Sequence, residues 1–361
     1  MAEIMYTPFC AGSTQVPNRL VASAMFEYGA DAGKITEKIK QRYLALADGG
    51  AGLIITGMHA VRAAGAVGPI MVNTEYDGYI ADLRDIADTV HAKGGKIMVQ
   101  LQHCGWKTSQ ADGYDRFAVC EKTASDSCVY HEATREELHQ VAADFAASAL
   151  RCKEAGVDGV QIHGAHGYLI NTFLSPSTNR RTDEYGGKIE NRARLLLEVY
   201  SAIRQAVGGD FTVGVKFPFS DLIEDSIQVE ESIFACRELE RLGIDFIEVS
   251  SGMVMDNSPV SFTPVVRNDN QAPFLEFASM LADEIALPVI SVCGYRTPDM
   301  VEKALTETNI KAVSFGRPFV REPDLPNRWK QDRSPAKCVS CNGCCNSFKD
   351  GIITCQVKKE V

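Results

Sequence analysis

The sequence predicts an α/β fold, a (β/α)8 TIM barrel with a short cysteine-rich C-terminal extension. Three observations carry that prediction. Eight short apolar runs alternate with stretches of helical periodicity, and no half of the chain repeats the other. The first run ends in Met25-Phe26-Glu27-Tyr28, without the Gly-rich turn that a doubly wound open sheet would place there. Polar and proton-handling residues collect where the runs end, which is where a barrel of parallel strands builds its site.

Taken in order, Asn18 to Met25 is the first strand candidate, and a helix over Thr36 to Asp48 is closed by Gly49 and Gly50. Gly52 to Thr56 is the second strand, Ala60 to Asn73 a loop rich in Gly and Ala. Asp77 to Lys93 places Ile80, Leu83, Ile86, Ala87 and Val90 at helical spacing. Lys96 to Leu101 is the third strand, and Gln102 to Tyr130 reads as a long loop of the kind that usually serves function. Thr134 and Glu137 form a capping box for a helix that Gly156 stops after Ala155. Val157 to Ile162 is the fourth strand, with a helix from about Lys188 to Val207 after it. Phe211 to Phe217, Ile244 to Val249, Leu287 to Cys293 and Ile310 to Phe315 are the remaining strands. Helices over Val229 to Leu242, Pro273 to Glu284 and Thr297 to Glu307 separate them. The barrel is expected over residues 1–333 and the cysteine-rich segment over 334–361.

Composition narrows the function classes. The chain has 361 residues, 45% hydrophobic and 23% charged, enough to bury a large core. Its net charge of −10 argues against a nucleic-acid surface. No run of about 18 apolar residues is present, so no membrane span is expected. The start, MAEIMYTPFC, lacks the pattern of a signal peptide, so a cytoplasmic protein is expected. Of the 12 cysteines, Cys338, Cys341, Cys344, Cys345 and Cys355 crowd the tail. Without an export signal, such clustering points to metal binding rather than disulfides.

The fourth strand ends in His163-Gly-Ala-His166-Gly-Tyr168, two imidazoles and a phenol at the start of one loop. Other strand ends add Met25-Phe26, Gly57, Gln100, Lys216, Gly294 and Gly316-Arg317. Gly-bearing turns after strands seven and eight commonly cradle a phosphate through backbone N–H groups, and Arg317 would add a bidentate cation. Two histidines three apart could bind zinc, but no third ligand stands in the same loop.

The stretch from His163 through Pro176, with Asn179 to Gly187 (NRRTDEYGG) and Glu190-Asn191-Arg192, closely resembles the flavin-dependent old yellow enzyme family. The likeness is strongest to its bacterial branch with 2,4-dienoyl-CoA and 2-enoate reductases, and extends from about Pro8 to Trp329. The resemblance implies FMN as cofactor and an ene-reductase activity on the C=C bond of an α,β-unsaturated carbonyl compound. Gln100 would bond the flavin pyrimidine edge, and Lys216 would place a cation beside N1 and O2. Gly294, Gly316 and Arg317 would hold the phosphate. Ala24, Met25 and Gly57 would line the ring, and Phe26 stands where the family often has a Thr or Cys bonded to flavin O4. His163 and His166 would hold the substrate carbonyl, and Tyr168 would protonate the α-carbon.

The tail, KCVSCNGCCNSFKDGIITCQ, resembles the iron–sulfur segment of the dienoyl-CoA reductase branch. That implies a [4Fe–4S] cluster on Cys338, Cys341, Cys345 and Cys355, with Cys344 as alternative ligand; a structural zinc is the other metal that thiolates suit. NAD(P)H or a separate electron-donor protein would reduce the flavin. The competing functions are a flavin amine dehydrogenase or demethylase of the same family, a flavin electron-transfer subunit, and a metal-dependent barrel lyase or hydrolase. The alkene, the nicotinamide preference and the oligomeric state, a homo-oligomer included, are left open by the sequence.

Overall fold

The computed structural model describes residues 3–125, 128–253 and 271–357. It begins with an antiparallel hairpin, β1 (Phe9–Ala11) and β2 (Thr14–Val16). Eight parallel strands then close into a barrel. They are β3 (Leu20–Ala22), β4 (Leu53–Ala60), β5 (Lys96–Gln102), β9 (Gly159–His163), β10 (Thr212–Pro218), β11 (Phe246–Ser250), β12 (Val289–Val292) and β13 (Ala312–Phe315). All eight predicted strands are present, with ends within four residues of those expected, and the (β/α)8 barrel is the observed fold.

Side chains alternate between the two faces of each strand. On β10, Val213, Val215 and Phe217 point outward into the main helix-packed core, while Lys216 points in. The same alternation on β11 sends Ile247 and Val249 outward and leaves Phe246 and Glu248 inside. The lower interior is apolar, built from Val21, Leu53, Ile55, Met98, Phe246, Ile290 and Ala312. Phe9, Ala11 and Val16 of the hairpin join that cluster and plug the end of the barrel opposite the site. The sequence reading did not anticipate the hairpin, whose strands are three residues each.

The helix Arg135–Ala155 has the predicted capping box, and Gly156 ends it at φ 85°. The helix after β9 is broken in two at Ala193, as Ile189–Arg192 and Arg194–Val207. A further short helix, Leu169–Leu174, lies where a loop was expected. The predicted loop Gln102–Tyr130 instead holds a three-stranded sheet of β6 (Phe117–Ala118), β7 (Lys122–Ser125) and β8 (Cys128–Glu132). Most of the stretch Gly252–Gln271, between β11 and the helix that follows it, lies outside the described residues. No described helix is long and apolar enough to cross a membrane.

Gly214 has no side chain because the Phe246 ring occupies that space: a Cβ there would sit 2.2 Å from a ring carbon. Gly214→Ala is therefore expected to lower stability by about 1–3 kcal/mol through overpacking, read as a lowered thermal midpoint with an unchanged far-ultraviolet spectrum.

Candidate active site

Two residues up from the apolar layer on β5, β11 and β13, and just past β3, the barrel interior becomes polar. Glu248 is fully buried and gathers donors from four strands. Its Oε1 accepts from Ser23 Oγ and Ser314 Oγ, each at 2.7 Å, and lies 3.0 Å from Lys216 Nζ. Its Oε2 accepts from Gln161 Nε2 at 2.8 Å, and Gln161 Oε1 accepts from Gln100 Nε2 at 2.7 Å. Lys216 also donates to Ser23 Oγ at 2.8 Å. The ammonium and these hydrogen bonds outweigh burial and hold the Glu248 carboxyl below its ordinary range.

Above this floor the barrel mouth opens into a cavity. His163, His166, Tyr168, Lys216, Ala24, Met25, Phe26, Gly294, Gly316 and Arg317 all line it, as the sequence predicted for a site. Gly57 and Gln100 do not. Gln100 is one layer down, its amide nitrogen bonded to Gln161. Gly57 lies where β4 slips register between Ile55 and Met58. That irregularity turns Met58 into the cavity and the Gly57 N–H onto Glu27 Oε1 at 2.7 Å, one residue back from the lining.

The imidazoles stand perpendicular, with ring centroids 5.1 Å apart, and Tyr168 is 5.1 Å from His163. His163 Nδ1 accepts from the Ala165 N–H at 3.3 Å, which puts its proton on Nε2. His166 Nε2 is 2.8 Å from Ser250 Oγ. His166 adopts φ 66°, a left-handed conformation that costs a non-glycine residue and is held here by its surroundings. Gly167 N–H donates to Asn171 Oδ1, and Asn171 Nδ2 donates to buried Asp221. Lys107 Nζ donates to the His166 carbonyl at 2.9 Å and lies 4.7 Å from the Tyr168 ring centroid. Burial, together with the Lys216 and Lys107 ammonium groups, pushes both imidazoles well below their usual range, so they are neutral. Burial raises the Tyr168 phenol, which keeps it protonated, with Gln102 bonded beside it.

The two glycine turns leave no room for a side chain. Gly294 has φ 86°, and a Cβ there would sit 2.4 Å from the Ala272 nitrogen. A Cβ on Gly316 would reach 2.7 Å from Met25 Sδ. Arg317 is also occupied by the C-terminal segment: its guanidinium donates to the Ser340 carbonyl at 3.3 Å and to Asn342 Oδ1. That segment reaches the cavity itself, where Cys345 is a lining residue and its carbonyl accepts from Tyr28 Oη at 3.3 Å.

The expected metal ligands are not assembled. Among the described residues, no group of three or more His, Cys, Asp or Glu side chains is placed to hold a metal ion. The turn Gly343–Asp350 buries Cys344 while Cys341 is exposed, and Cys355 Sγ accepts from Arg321 at 3.8 Å. The cluster or zinc expected on Cys338, Cys341, Cys345 and Cys355, with Cys344 as alternative, is thus not shown by the arrangement of these thiols.

The chain belongs to the NADH:flavin oxidoreductase / NADH oxidase family, whose sequence profile matches residues 4–335. It is 32% identical to a "Metal reductase" of Desulforamulus reducens over 99% of this chain and 54% of that protein. It is 35% identical to an NADPH dehydrogenase of Halalkalibacterium halodurans over 90% of this chain and 94% of that protein. Among solved structures, a 2-naphthoyl-CoA reductase bound to 2-naphthoyl-CoA superposes with a TM-score of 0.89 at 26% identity, over 99% of this chain and 57% of that one. The chain thus spans about half the length of the first of these curated relatives.

Sequence reading missed Glu248, Gln161, Lys107 and Glu27. Glu27 sits between Phe26 and Tyr28, is buried, and accepts from Tyr43 Oη as well as from Gly57. Its own carbonyl accepts from the Ile353 N–H at 2.6 Å. Burial pushes the Glu27 carboxyl up to about 7, against the opposing pull of Arg42. A raised carboxyl favours folding while protonated, so its contribution is complete below about 4.5 and is lost as pH rises through 7. Relative to Glu27→Gln, the wild type is expected to lose up to about 3 kcal/mol between those limits, measured by denaturant unfolding at several pH values. Parallel curves for the two proteins would contradict the assignment.

Proposed function

We propose that the chain is an FMN-dependent ene-reductase that saturates the C=C bond of an α,β-unsaturated carbonyl compound. The observation that carries this reading is the perpendicular His163–His166 pair beside Tyr168, above a floor that presents Lys216. The residues present fit FMN: Gly294, Gly316 and Arg317 line one side of the cavity and would hold its phosphate, with Lys216 and the Met25–Phe26 segment against the ring. When bound, FMN supplies hydride to the β-carbon of the alkene, after reduction by NAD(P)H.

The protein's own groups do the rest. His163 presents an Nε2–H, and His166, with Nε2 engaged by Ser250, would present Nδ1–H. Two neutral N–H donors on one carbonyl oxygen stabilise the negative charge that collects there as the β-carbon is reduced. Their neutrality matters, because an imidazolium would bind the ground state and give its proton to oxygen. Tyr168 delivers a proton to the α-carbon, and its buried, protonated phenol suits an acid of that kind. One hydride and one proton added across the bond complete the reduction. Phe26 offers no polar atom to the ring edge, and the apolar segments around it favour a flat, conjugated guest. Amine oxidation, the competing chemistry in the family, develops no oxyanion for the imidazole pair to hold.

Anaerobic reoxidation of the reduced enzyme by a cyclic enone tests this reading. Removing either imidazole as His163→Ala or His166→Ala should slow reoxidation by about 10²–10³-fold. Tyr168→Phe should slow it by about 10²–10⁴-fold while leaving enone binding intact. Unchanged rates and enone affinity in the histidine variants would overturn the assignment.

A further inference from the structure

The floor of the cavity carries a feature that the proposed reaction does not use. A cation under the ring of a bound FMN would favour its reduction, and Lys216 is that cation. Yet Lys216 is 3% exposed and stands 3.0 Å from Glu248, which is 0% exposed. Glu248 takes no part in holding substrate, and the cavity lining does not include it. The other donors on this carboxylate, Ser23, Ser314 and Gln161, are neutral, so only Lys216 balances its charge. Across the floor, the titratable groups facing Lys216 are Glu248 and the two imidazoles, and the imidazoles are neutral.

We propose that Glu248 is a positioning residue that fixes Lys216 on the barrel floor and cancels most of its charge, lowering the reduction potential of the cofactor above it. This rests on the flavin reading of the site. A floor with no net charge makes the reduced cofactor a stronger hydride donor than a lone ammonium would, and so extends its reach to less electrophilic alkenes. The sign follows from electrostatics. Without the carboxylate the Lys216 ammonium is uncompensated and favours negative charge on the ring, and without the ammonium burial drives the Glu248 carboxyl to its neutral form, which exerts no charge of its own; at short range in a dry interior one uncompensated charge is easily worth a factor of ten.

The experiment is a double-mutant cycle read by the two-electron midpoint potential of FMN bound to the full chain, at one pH and ionic strength. Glu248→Gln should raise the equilibrium constant for reduction tenfold or more, about 30 mV for a two-electron couple. Lys216→Met should lower it. In the Lys216→Met background, adding Glu248→Gln should change the constant by less than half as much on the logarithmic scale. An unchanged or lowered potential in Glu248→Gln overturns the proposal. So does a rise of the same size in both backgrounds, since Glu248 would then act on the ring directly rather than through Lys216. If Glu248→Gln alone does not fold, the pair Lys216→Met/Glu248→Gln carries no unpaired buried charge and is compared with Lys216→Met. A tenfold difference between those two overturns the proposal, and near-equality supports it. A wild type that binds no FMN would refute the flavin reading itself, an outcome distinct from any of these.

Discussion

An eight-stranded barrel leaves room inside for only a few layers of side chains, and what those layers contain decides what the mouth can do. Here the change from oil to charge happens within two residues on four of the strand ends. Val21 and Ser23, Met98 and Gln100, Phe246 and Glu248, Ala312 and Ser314 are successive inward positions, apolar below and polar above. The lower layer, plugged by the N-terminal hairpin, supplies burial at roughly 25 cal/mol per Å². The upper layer is worth having only because each of its groups is paired: a carboxylate without its ammonium, or an ammonium without its carboxylate, would strongly destabilise the interior. The Lys216–Glu248 pair is the constraint on which the position of the cavity floor depends.

That arrangement also explains which features could be read from the chain. The eight strands were legible because both faces of a parallel strand are buried and the runs stand out. The layering was legible in principle, as a polar residue two places beyond an apolar one in each run. It was overlooked because Glu248 in IDFIEV reads as a single exception inside a strand, and its partners come from four other segments of the chain. His163, His166 and Tyr168 were found because the loop that carries them is local. That Met58 rather than Gly57 faces the cavity could not be read from spacing, because it follows from a register slip in β4. The three-stranded sheet between residues 117 and 132 was missed because its strands are short and partly polar, with Lys122 and His131 among them.

The C-terminal segment illustrates a second limit. Its cysteines suggest a metal by their spacing, which the structure does not show; what it does show is that the segment leans on the barrel mouth. Ser340 and Asn342 hold Arg317, Cys345 meets Tyr28, and Ile353 reaches the backbone of Glu27. The residues that shape the ring side of the cavity are therefore supported from two directions, by the barrel strands beneath and by this segment alongside. Relatives that extend to about twice this length share the barrel across nearly all of the chain, so the cavity and its floor belong to the common part.

The most direct test of the account is a titration of the cofactor-free protein with FMN, followed by absorbance and by quenching of flavin fluorescence. The arrangement of Gly294, Gly316 and Arg317 around a cavity floored by Lys216 predicts saturable binding of one FMN per chain, with visible bands shifted from those of free flavin. Folded protein that shows no saturable uptake and no spectral shift would contradict it.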